Sequence, residues 1–481
     1  MKGLVAIANF GSKNAKYLER LLDEYRSMKR YEVSIAVLSN VPKELGSDVE
    51  VIVGLPAKDP WSLPFGHKTL FAKRIEEYDF FIYTEDDTLI TERNIDAFIQ
   101  VTRVLPDRYI SGFIRYEISP EGKKFFTTFH DHFHWDPNSI VKIGEYIFAH
   151  YTNDHSACFI LTRGQLRKAI ESGGFLLPPR KGRYDMLVTA ATDPYTQCGM
   201  KKLVCISHLN DFCLPHLPNA YIGRIGLEAK WADREIEALK VLSGTPTIRG
   251  PLFDTSTLLD DARWDKKYHE PRRDDILSLI PKGANRVLSV GCGCGSTEAD
   301  LVMQGVEVIG IPLDCVIAVS AAAKGIKTVN PSFEAAREAL RGMHYDCIVF
   351  QDVLQHVADP IATLRDFRPF LSENGSMIIS VPNFNYPSLL RERELMRLRA
   401  RGVSDGQCFN RYRLHFTTRS MLSLWLDRSG LVVTKSCSVV EPRYEVLGWV
   451  CLGLLNNWFS RNIVVRAEPL PHESGVAWKN K

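Results

Sequence analysis

The sequence predicts an α/β protein of two domains, and three observations lead to that prediction. The 481 residues exceed what one hydrophobic core usually organises, since single cores stop growing near roughly 250 to 300 residues. Short apolar runs alternate with segments of helical period in both halves of the chain. Residues 243–262 keep neither period and are rich in turn formers and hydroxyl side chains. We therefore expect domains over 1–242 and 263–472, a linker over 243–262 and a tail over 473–481.

The balance of charge argues against a nucleic-acid partner. Sixty Lys and Arg residues face 57 Asp and Glu, for a net charge of +3. Neither half contains the long basic run that would follow a phosphate backbone. The 11 cysteines are irregularly spaced and form no CxxC pair, so we expect reduced thiols and a cytoplasmic protein.

The apolar runs that could direct the chain to a membrane are short. The apolar start of the chain is too brief for the core of a secretion signal, and it is typical of a buried first strand. The longest apolar run, 446–455, is far below the roughly 18 residues that a spanning helix needs. We expect that run to be a core element, although it could contact a membrane surface without crossing it.

Predicted strands alternate with helical segments along both domains. In the first domain the runs LVAIA, VSIAVL, FFIYT and ACFILT are predicted strands, and 17–28 and 165–171 have helical period. In the second domain RVLSVG, VEVIGI, YDCIVF and SMIISV are predicted strands separated by helical segments. That order is typical of a doubly wound, Rossmann-like parallel sheet.

A glycine-rich turn follows the first strand of the second domain. In VLSVGCGCGS, the glycines are Gly291, Gly293 and Gly295. Such a turn lets main chain approach a ligand closely at the carboxyl edge of a sheet. We expect bare main chain to lie open there, beside Asp352. Dinucleotide-binding folds and plain tight turns have similar sequences, so the turn alone does not decide between them.

The wider pattern of the second domain resembles the class I S-adenosylmethionine-dependent methyltransferases of the MetW-like and UbiG-like type. The matching stretches are YHEPRRDDILSLIP, VLSVGCGCG, VEVIGIPLD, YDCIVFQDVLQHVADP, GSMIISVPNF and RLHFTTRSMLSLWLDRSGL. The resemblance implies that the three glycines contact the cofactor and that Asp352 and Val353 line its site. The family usually has an acidic residue where this chain has Pro312. Asp314 could take over its contact with the ribose hydroxyls.

Two histidines of this half are candidates for catalysis. Methyl transfer needs in-line alignment, and it needs a base when the acceptor is a hydroxyl. His356, in LQHVADP, is the candidate base, and its alternative is a packing or capping residue after the fourth strand. His415, in RLHFTT, could equally be a local structural residue.

An acidic triplet follows a strand of the first domain. FFIYTEDDTLIT places Glu85, Asp86 and Asp87 at the strand exit. Neighbouring carboxylates repel one another unless a cation lies among them, and oxygen ligands suit Mg²⁺ or Mn²⁺ bound to a diphosphate. The alternative is a solvated acidic turn.

The surrounding sequence resembles the GT-A type nucleotide-sugar glycosyltransferases. The further stretches are SACFILTRGQLRKAI and RYDMLVTAATDPYTQCGMKKL. The resemblance implies that Glu85 and Asp87 face the metal, that Asp185 is the catalytic base and that His208 is a late metal ligand. The first of the two metal-facing positions has Glu where Asp is usual. The segment HDHFHWD, 130–136, would place three histidines on one face if it formed a strand, and these could then bind a transition metal. We expect an exposed acceptor loop instead.

Together these features predict a bifunctional transferase. One half would transfer a sugar from a nucleotide-sugar donor, and the other would methylate a glycan or related acceptor during polysaccharide or glycoconjugate synthesis. One alternative is a methyltransferase joined to an inactive carbohydrate-binding domain. Another is a scaffold in which neither site turns over.

Overall fold

The computed structural model describes residues 1–245, 250–259, 261–386, 405–439 and 460–470. The chain divides into two compact units. Unit 1 is Met1–Ile248 with Asp260–Ala262, and unit 2 is Arg249–Leu259 with Arg263–Lys481. The apolar run 446–455 and the tail 473–481 lie outside the described residues. Within those described ranges no helix has both the length and the apolar character needed to span a membrane.

Unit 1 alternates strands and helices around three small sheets. Its strands are β1 Lys2–Asn9, β2 Glu32–Ser39, β3 Val49–Val53, β4 Phe80–Glu85, β5 Tyr109–Ser111, β6 Ile114–Ile118, β7 Lys124–Phe126, β8 Trp135–Ile143, β9 Tyr146–Tyr151, β10 Cys158–Thr162, β11 Lys201–Cys205, β12 Cys213–Pro215 and β13 Leu227–Glu228. Its helices are α1 Ala15–Ser27, α2 Gly66–Lys73, α3 Glu92–Thr102, α4 Arg163–Glu171, α5 Met186–Thr196 and α6 Ala229–Leu242, with 3₁₀ helices at Pro60–Phe65 and Leu209–Phe212.

The largest sheet of unit 1 has the order β10-β4-β1-β2-β3. Strands β1 to β4 are parallel to one another, and β10 runs antiparallel to β4 at one edge. Residues 4–7 of β1 are completely buried, as expected for a continuous apolar run in the middle of a parallel sheet. Because β1 and β4 are parallel neighbours, Asn9 and Glu85 reach the same edge of the sheet. The sheets β5-β11-β9-β8 and β12-β6-β7-β13 complete the unit.

Unit 2 is built on one seven-stranded sheet. Its strands are β14 Arg286–Cys292, β15 Glu307–Pro312, β16 Lys327–Thr328, β17 Tyr345–Gln351, β18 Leu371–Pro382, β19 Leu431–Cys437 and β20 Asn462–Pro469. Its helices are α7 Asp274–Leu277, α8 Glu298–Met303, α9 Ile317–Ala322, α10 Phe333–Ala339, α11 Pro360–Phe367, α12 Asp405–Tyr412 and α13 Arg419–Arg428, with 3₁₀ helices at Ala262–Trp264, Leu354–His356 and Arg368–Phe370.

The strand order of unit 2 is β16-β15-β14-β17-β18-β20-β19. The strands are parallel except β20, which is antiparallel to both of its neighbours. The chain winds from β14 outward to β16 on one side and then returns to β17 on the other. In such a sheet the crevice beside the carboxyl ends of the two central strands is the usual ligand-binding place, and here those strands are β14 and β17.

Part of the predicted linker is folded against unit 2. Leu252 is 7% exposed and belongs to its main hydrophobic core. Thr255 and Thr257 are also buried. A segment without helical or strand period can therefore be fixed by a few buried side chains, which periodicity does not detect.

Candidate functional sites

The glycine-rich turn lies at the carboxyl end of β14, between β15 and β17. Gly291 and Gly295 have positive φ angles of 71° and 73°, a conformation that glycine adopts without the steric cost of a Cβ atom. The pairing of β14 with β15 also shifts register between Val290 and Cys292. The turn is therefore sharp, and it directly follows the first strand of unit 2, as predicted.

The turn is covered, so the expectation of bare main chain lying open is wrong. All residues from 291 to 295 are buried. A Cβ built on Gly291 would lie 2.6 Å from Cγ2 of Val353, and one built on Gly293 would collide with the carbonyl oxygen of Tyr268. That carbonyl also accepts a 2.7 Å hydrogen bond from the amide of Cys294. The glycines are needed because the chain's own atoms close over the turn.

Asp352 follows β17 directly and is held in an unusual conformation. Its φ is 50°, and its carboxylate accepts hydrogen bonds from Ser380 Oγ at 2.6 Å and Arg273 Nη1 at 2.9 Å. Burial alone would raise the pKa of this carboxyl, but the cations of Arg273 and Lys266 outweigh it and the pKa is lowered. Asp352 therefore stays ionised at neutral pH, and its two oxygens retain lone pairs for a further donor.

A second buried ionic group lies behind Asp352 and was not found from the sequence. Lys266 donates to the Glu270 carboxylate and to the Gln351 carbonyl oxygen. Gln351 in turn donates to Glu270 at 2.7 Å. Burial lowers the pKa of Lys266 to about 8, although Asp352 and Glu298 oppose that shift. The only signal in the sequence was the dense charge ahead of the turn, in DKKYHEPRRDD.

Pro312 ends β15, as the sequence indicated. Asp314, the suggested substitute, is 1% exposed. Its Oδ1 accepts hydrogen bonds of 2.8 Å from the amides of Val316 and Ile317. The Asp314 carboxylate therefore binds backbone amides at the start of α9.

His356 lies beside the turn, in the 3₁₀ helix after β17. The residue is 3% exposed, and Nδ1 has no hydrogen-bond partner in the described part of the chain. Burial, with Lys266 nearby, lowers the pKa of the imidazole to about 3. A ring that resists protonation so strongly is a weak proton acceptor. His415 bonds through Nε2 to the Val357 carbonyl oxygen at 3.1 Å, as expected of a structural residue.

Comparison with known proteins identifies the second unit. A family model described as "Methyltransferase domain" matches residues 264–436. This match includes the glycine turn, Asp352 and His356. Unit 2 contains a methyltransferase domain.

Two curated relatives give the extent of the similarity. The ubiquinone biosynthesis O-methyltransferase of Cereibacter sphaeroides (strain ATCC 17029 / ATH 2.4.9) is 30% identical over 143 residues, which cover 28% of this chain and 58% of that protein. The enzyme of the same name from Azorhizobium caulinodans is 32% identical over 113 residues, covering 23% and 45%. The chain thus spans less than two thirds of the length of these relatives.

Solved structures also align with this chain. The magnesium protoporphyrin IX methyltransferase of Synechocystis PCC 6803 is 16% identical, with coverage of 40% of this chain and 78% of that chain and a TM-score of 0.28. The CcbJ methyltransferase of Streptomyces caelestis is 16% identical, with coverage of 42% and 91% and a TM-score of 0.30.

The side chains of the methyltransferase domain suit a cationic nucleoside such as S-adenosylmethionine. Asp352 supplies a negative charge at the switch point of the sheet. Gln351 Oε1, Gln355 Oε1 and His356 Nδ1 are buried and without hydrogen-bond partners among the described residues, and such acceptors are costly unless a ligand or water satisfies them. Pro312 is the one departure, since it offers no carboxylate to the ribose.

The acidic triplet of unit 1 is largely withdrawn from solvent, with Asp86 buried and Glu85 and Asp87 partly buried. Burial, together with Asp87, raises the pKa of Glu85 to about 8, and its Oε1 has no hydrogen-bond partner in the described ranges. Burial raises the pKa of Asp86 to about 6, although Asn9 and Asn14 donate to its carboxylate. Crowded carboxylates of this kind would be stabilised by a bound cation.

The histidine that contacts the triplet is His216. Its Nε2 lies 3.3 Å from Oδ2 of Asp87, and its Nδ1 contacts the Glu117 carboxylate. Burial would raise the pKa of Asp87, but His216 outweighs that effect and the pKa is lowered. His208 is exposed, and its Nδ1 lies 3.0 Å from Ser207 Oγ. Among the described residues, no contact links His208 to the triplet. His216, which does contact it, was not predicted from the sequence.

Asp185 caps helix α5 and lies near the triplet. Its Oδ1 accepts a 2.9 Å hydrogen bond from the amide of Val188. The residue is exposed, and its negative charge contributes to the raised pKa of Glu85. Asp87 and Asp185 therefore both lie within electrostatic range of Glu85.

The histidine-rich segment is irregular over residues 130–134 and does not form the strand that would align its three histidines. His130 and His132 lie in an irregular turn, and β8 begins only at Trp135. His130 Nε2 contacts the Thr127 carbonyl oxygen, while His132 Nδ1 contacts the Asp131 carboxylate. Across the described ranges, no group of three or more His, Cys, Asp or Glu side chains is arranged to hold a metal ion.

Proposed function

We propose that unit 2 transfers a methyl group from S-adenosylmethionine to an acceptor. The observation that carries this proposal is the ionised Asp352 beside the glycine turn, at the switch point of a sheet whose sequence matches a methyltransferase domain. When bound, S-adenosylmethionine supplies an electrophilic methyl group on a sulfonium ion. Asp352, whose side chain is partly exposed, would hold the positive end of this ligand.

The residues of the chain would act mainly by alignment. Arg273 and Ser380 fix both oxygens of the Asp352 carboxylate, so a ligand bound there has a defined orientation. His356 would remain neutral because its pKa is about 3. We assign it hydrogen bonding and packing beside the site rather than removal of a proton.

Direct binding measurements test this proposal. Titration calorimetry of the full chain with S-adenosylmethionine and S-adenosylhomocysteine should show saturable binding of both. Asp352→Asn should weaken binding by about tenfold or more, since hydrogen bonds to charged groups contribute roughly 1.5 to 3 kcal/mol. Asp359→Asn is the matched control, because asparagine also caps helices well and Asp359 caps the exposed start of α11. Failure of the unaltered protein to bind either ligand would refute the proposal.

We further infer that unit 1 transfers a sugar from a nucleotide-sugar donor to a glycan or glycoconjugate acceptor. This inference is supported by the proximity of Glu85, Asp87 and Asp185 and by the raised pKa of Glu85. Glu85 and Asp87 would hold Mn²⁺ or Mg²⁺, which would neutralise the leaving diphosphate. Asp185, the exposed carboxylate, would accept the proton of the acceptor hydroxyl. Both units would then act in cytoplasmic polysaccharide or glycoconjugate synthesis.

Ligand screening separates this inference from its alternatives. UDP-, GDP- and dTDP-sugars should bind to the full chain only when Mn²⁺ or Mg²⁺ is present. Binding of free glycans without any nucleotide sugar would instead support a carbohydrate-binding domain. If the chain bound none of these ligands and did not bind S-adenosylmethionine, the result would support a scaffold.

A further inference from the structure

Residues 250–259, here called the strap, cross the carboxyl edge of the unit 2 sheet. The amide of Leu252 donates a 2.7 Å hydrogen bond to the carbonyl oxygen of Leu313, directly after β15. The carbonyl oxygen of Thr255 accepts a 2.8 Å hydrogen bond from the amide of Lys266. The strap therefore follows the crevice in which a doubly wound sheet binds its ligand.

The strap is anchored on both sides of this crevice. The amide and hydroxyl of Thr257 donate to Oδ1 of Asp265 at 2.7 and 3.0 Å. The amide of Leu258 donates to the carbonyl oxygen of Tyr412 at 2.8 Å. With Leu252 buried in the core, these bonds fix the position of Phe253 between them.

Phe253 lies directly against the glycine turn. A Cβ built on Gly291 would be 3.5 Å from Cε1 of the Phe253 ring. The ring is nearly parallel to those of His356 and Phe333, at centroid distances of 6.2 and 6.3 Å and interplanar angles of 11° and 16°. Phe253 packs against two core clusters but remains partly exposed.

The burial of the turn decides what a ligand at this edge can touch. Because residues 291–295 are buried, a ligand must contact the partly exposed groups around them. Phe253 provides a partly exposed aromatic ring there, and Asp352 provides a negative charge with a side chain 25% exposed. A sulfonium ion and an adenine ring are both attracted to aromatic faces, the first through the ring quadrupole and the second by stacking.

We propose that Phe253 contacts S-adenosylmethionine, so that the strap forms one wall of the cofactor site. The proposal rests on the methyl-transfer function proposed for unit 2. It adds a binding residue from outside residues 264–436, the part of the chain that matches the methyltransferase family. The strap, which the sequence predicts to be a linker, would thereby contribute to cofactor affinity.

Calorimetric titration of full-length variants tests this contact. Phe253→Ala should weaken S-adenosylmethionine binding by about tenfold, within the range expected for loss of a desolvated aromatic contact with a cation. Phe253→Leu keeps the apolar volume and should also weaken binding, whereas Phe253→Tyr should bind like the unaltered chain. Leu258→Ala is the matched control, because Leu258 is 55% exposed on the same strap.

The outcomes distinguish this proposal from the function on which it rests. If the unaltered chain binds S-adenosylmethionine and Phe253→Leu binds equally well or more tightly, Phe253 is not a ligand contact and the proposal fails. If the unaltered chain binds neither S-adenosylmethionine nor S-adenosylhomocysteine, the proposed function itself fails. Thermal unfolding without ligand checks that each variant is folded. Should Phe253→Ala not fold, the comparison of Leu with Tyr at this position still decides.

Discussion

Arg273 is the residue on which the charge balance at Asp352 depends. It donates to Asp352 and, through Nη2, to Ser380 at 3.0 Å. It also pairs with Asp275, and its side chain is only 13% exposed. Removing one partner of such a buried pair leaves an uncompensated charge, which costs more than the pair itself contributes.

We expect Arg273→Met to lower the free energy of unfolding of unit 2 by about 2 to 4 kcal/mol at pH 7. Because the folded pKa of Asp352 is lowered, its ion-pair stabilisation is complete above about pH 4. It is lost as the pH falls through the folded pKa. The difference between variant and unaltered chain should therefore shrink in acid, as measured by urea unfolding at a series of pH values.

The neighbouring arginine provides the control. Arg272 is 52% exposed and pairs with Asp274 and Asp300. Arg272→Met should cost no more than roughly 0.5 to 1 kcal/mol, since exposed ion pairs contribute little. Equal losses for the two variants would contradict the role given to Arg273.

The sequence predicted some residues of the sites but not their partners. Asp352 could be predicted because it follows a buried strand in a recognisable motif. Arg273 and Lys266 could not, because long side chains from an irregular segment reach the sheet edge only in the folded chain. His216 was missed for the same reason, since its contact with Asp87 joins residues far apart in the sequence.

At the scale of elements, Asp185 at the start of helix α5 has two roles. The carboxylate caps the helix through the amide of Val188, and it is also the proposed base for sugar transfer. Asp185→Ala should lower the stability of unit 1 by about 1 kcal/mol, the usual cost of losing a cap. Asp185→Ser should restore that stability, because serine also caps helices, and it should still lack sugar transfer. Thermal unfolding and a transfer assay of both variants check this, and an active Asp185→Ser would exclude Asp185 as the base.

The spacing of apolar residues predicted the strands more reliably than it predicted the loops. The runs RVLSVG, VEVIGI, YDCIVF and SMIISV lie in β14, β15, β17 and β18. The segment 130–136 is irregular over its first five residues, and β8 begins at Trp135. Just before this segment, Phe129 stacks on Tyr151 of β9 at 4.1 Å between ring centroids, a contact between distant residues that apolar period does not predict.

At the scale of the whole molecule, the proposal of two activities predicts that they can be lost separately. Asp87→Ala should abolish sugar transfer and spare methylation, because its carboxylate belongs to unit 1. Gly293→Val should abolish methylation and spare sugar transfer, because any side chain at this position collides with the Tyr268 carbonyl. Both activities are measured on the same preparations by mass spectrometry of the products.

A neutral glycine substitution controls for general damage. A Cβ on Gly250 meets nothing within 4 Å, so Gly250→Ala should leave both activities unchanged. A folded variant, either Asp87→Ala or Gly293→Val, that lost both activities would contradict separate sites.

The packing of the strap has a practical consequence for producing unit 2 by itself. A truncated chain beginning at Trp264, where the family similarity starts, would lack Leu252 and Leu259, which are 7% and 9% exposed. It would also lose the hydroxyl groups of Thr255 and Thr257. Such a fragment would uncover apolar surface and aggregate, whereas one cut before Gly250 would keep its own covering.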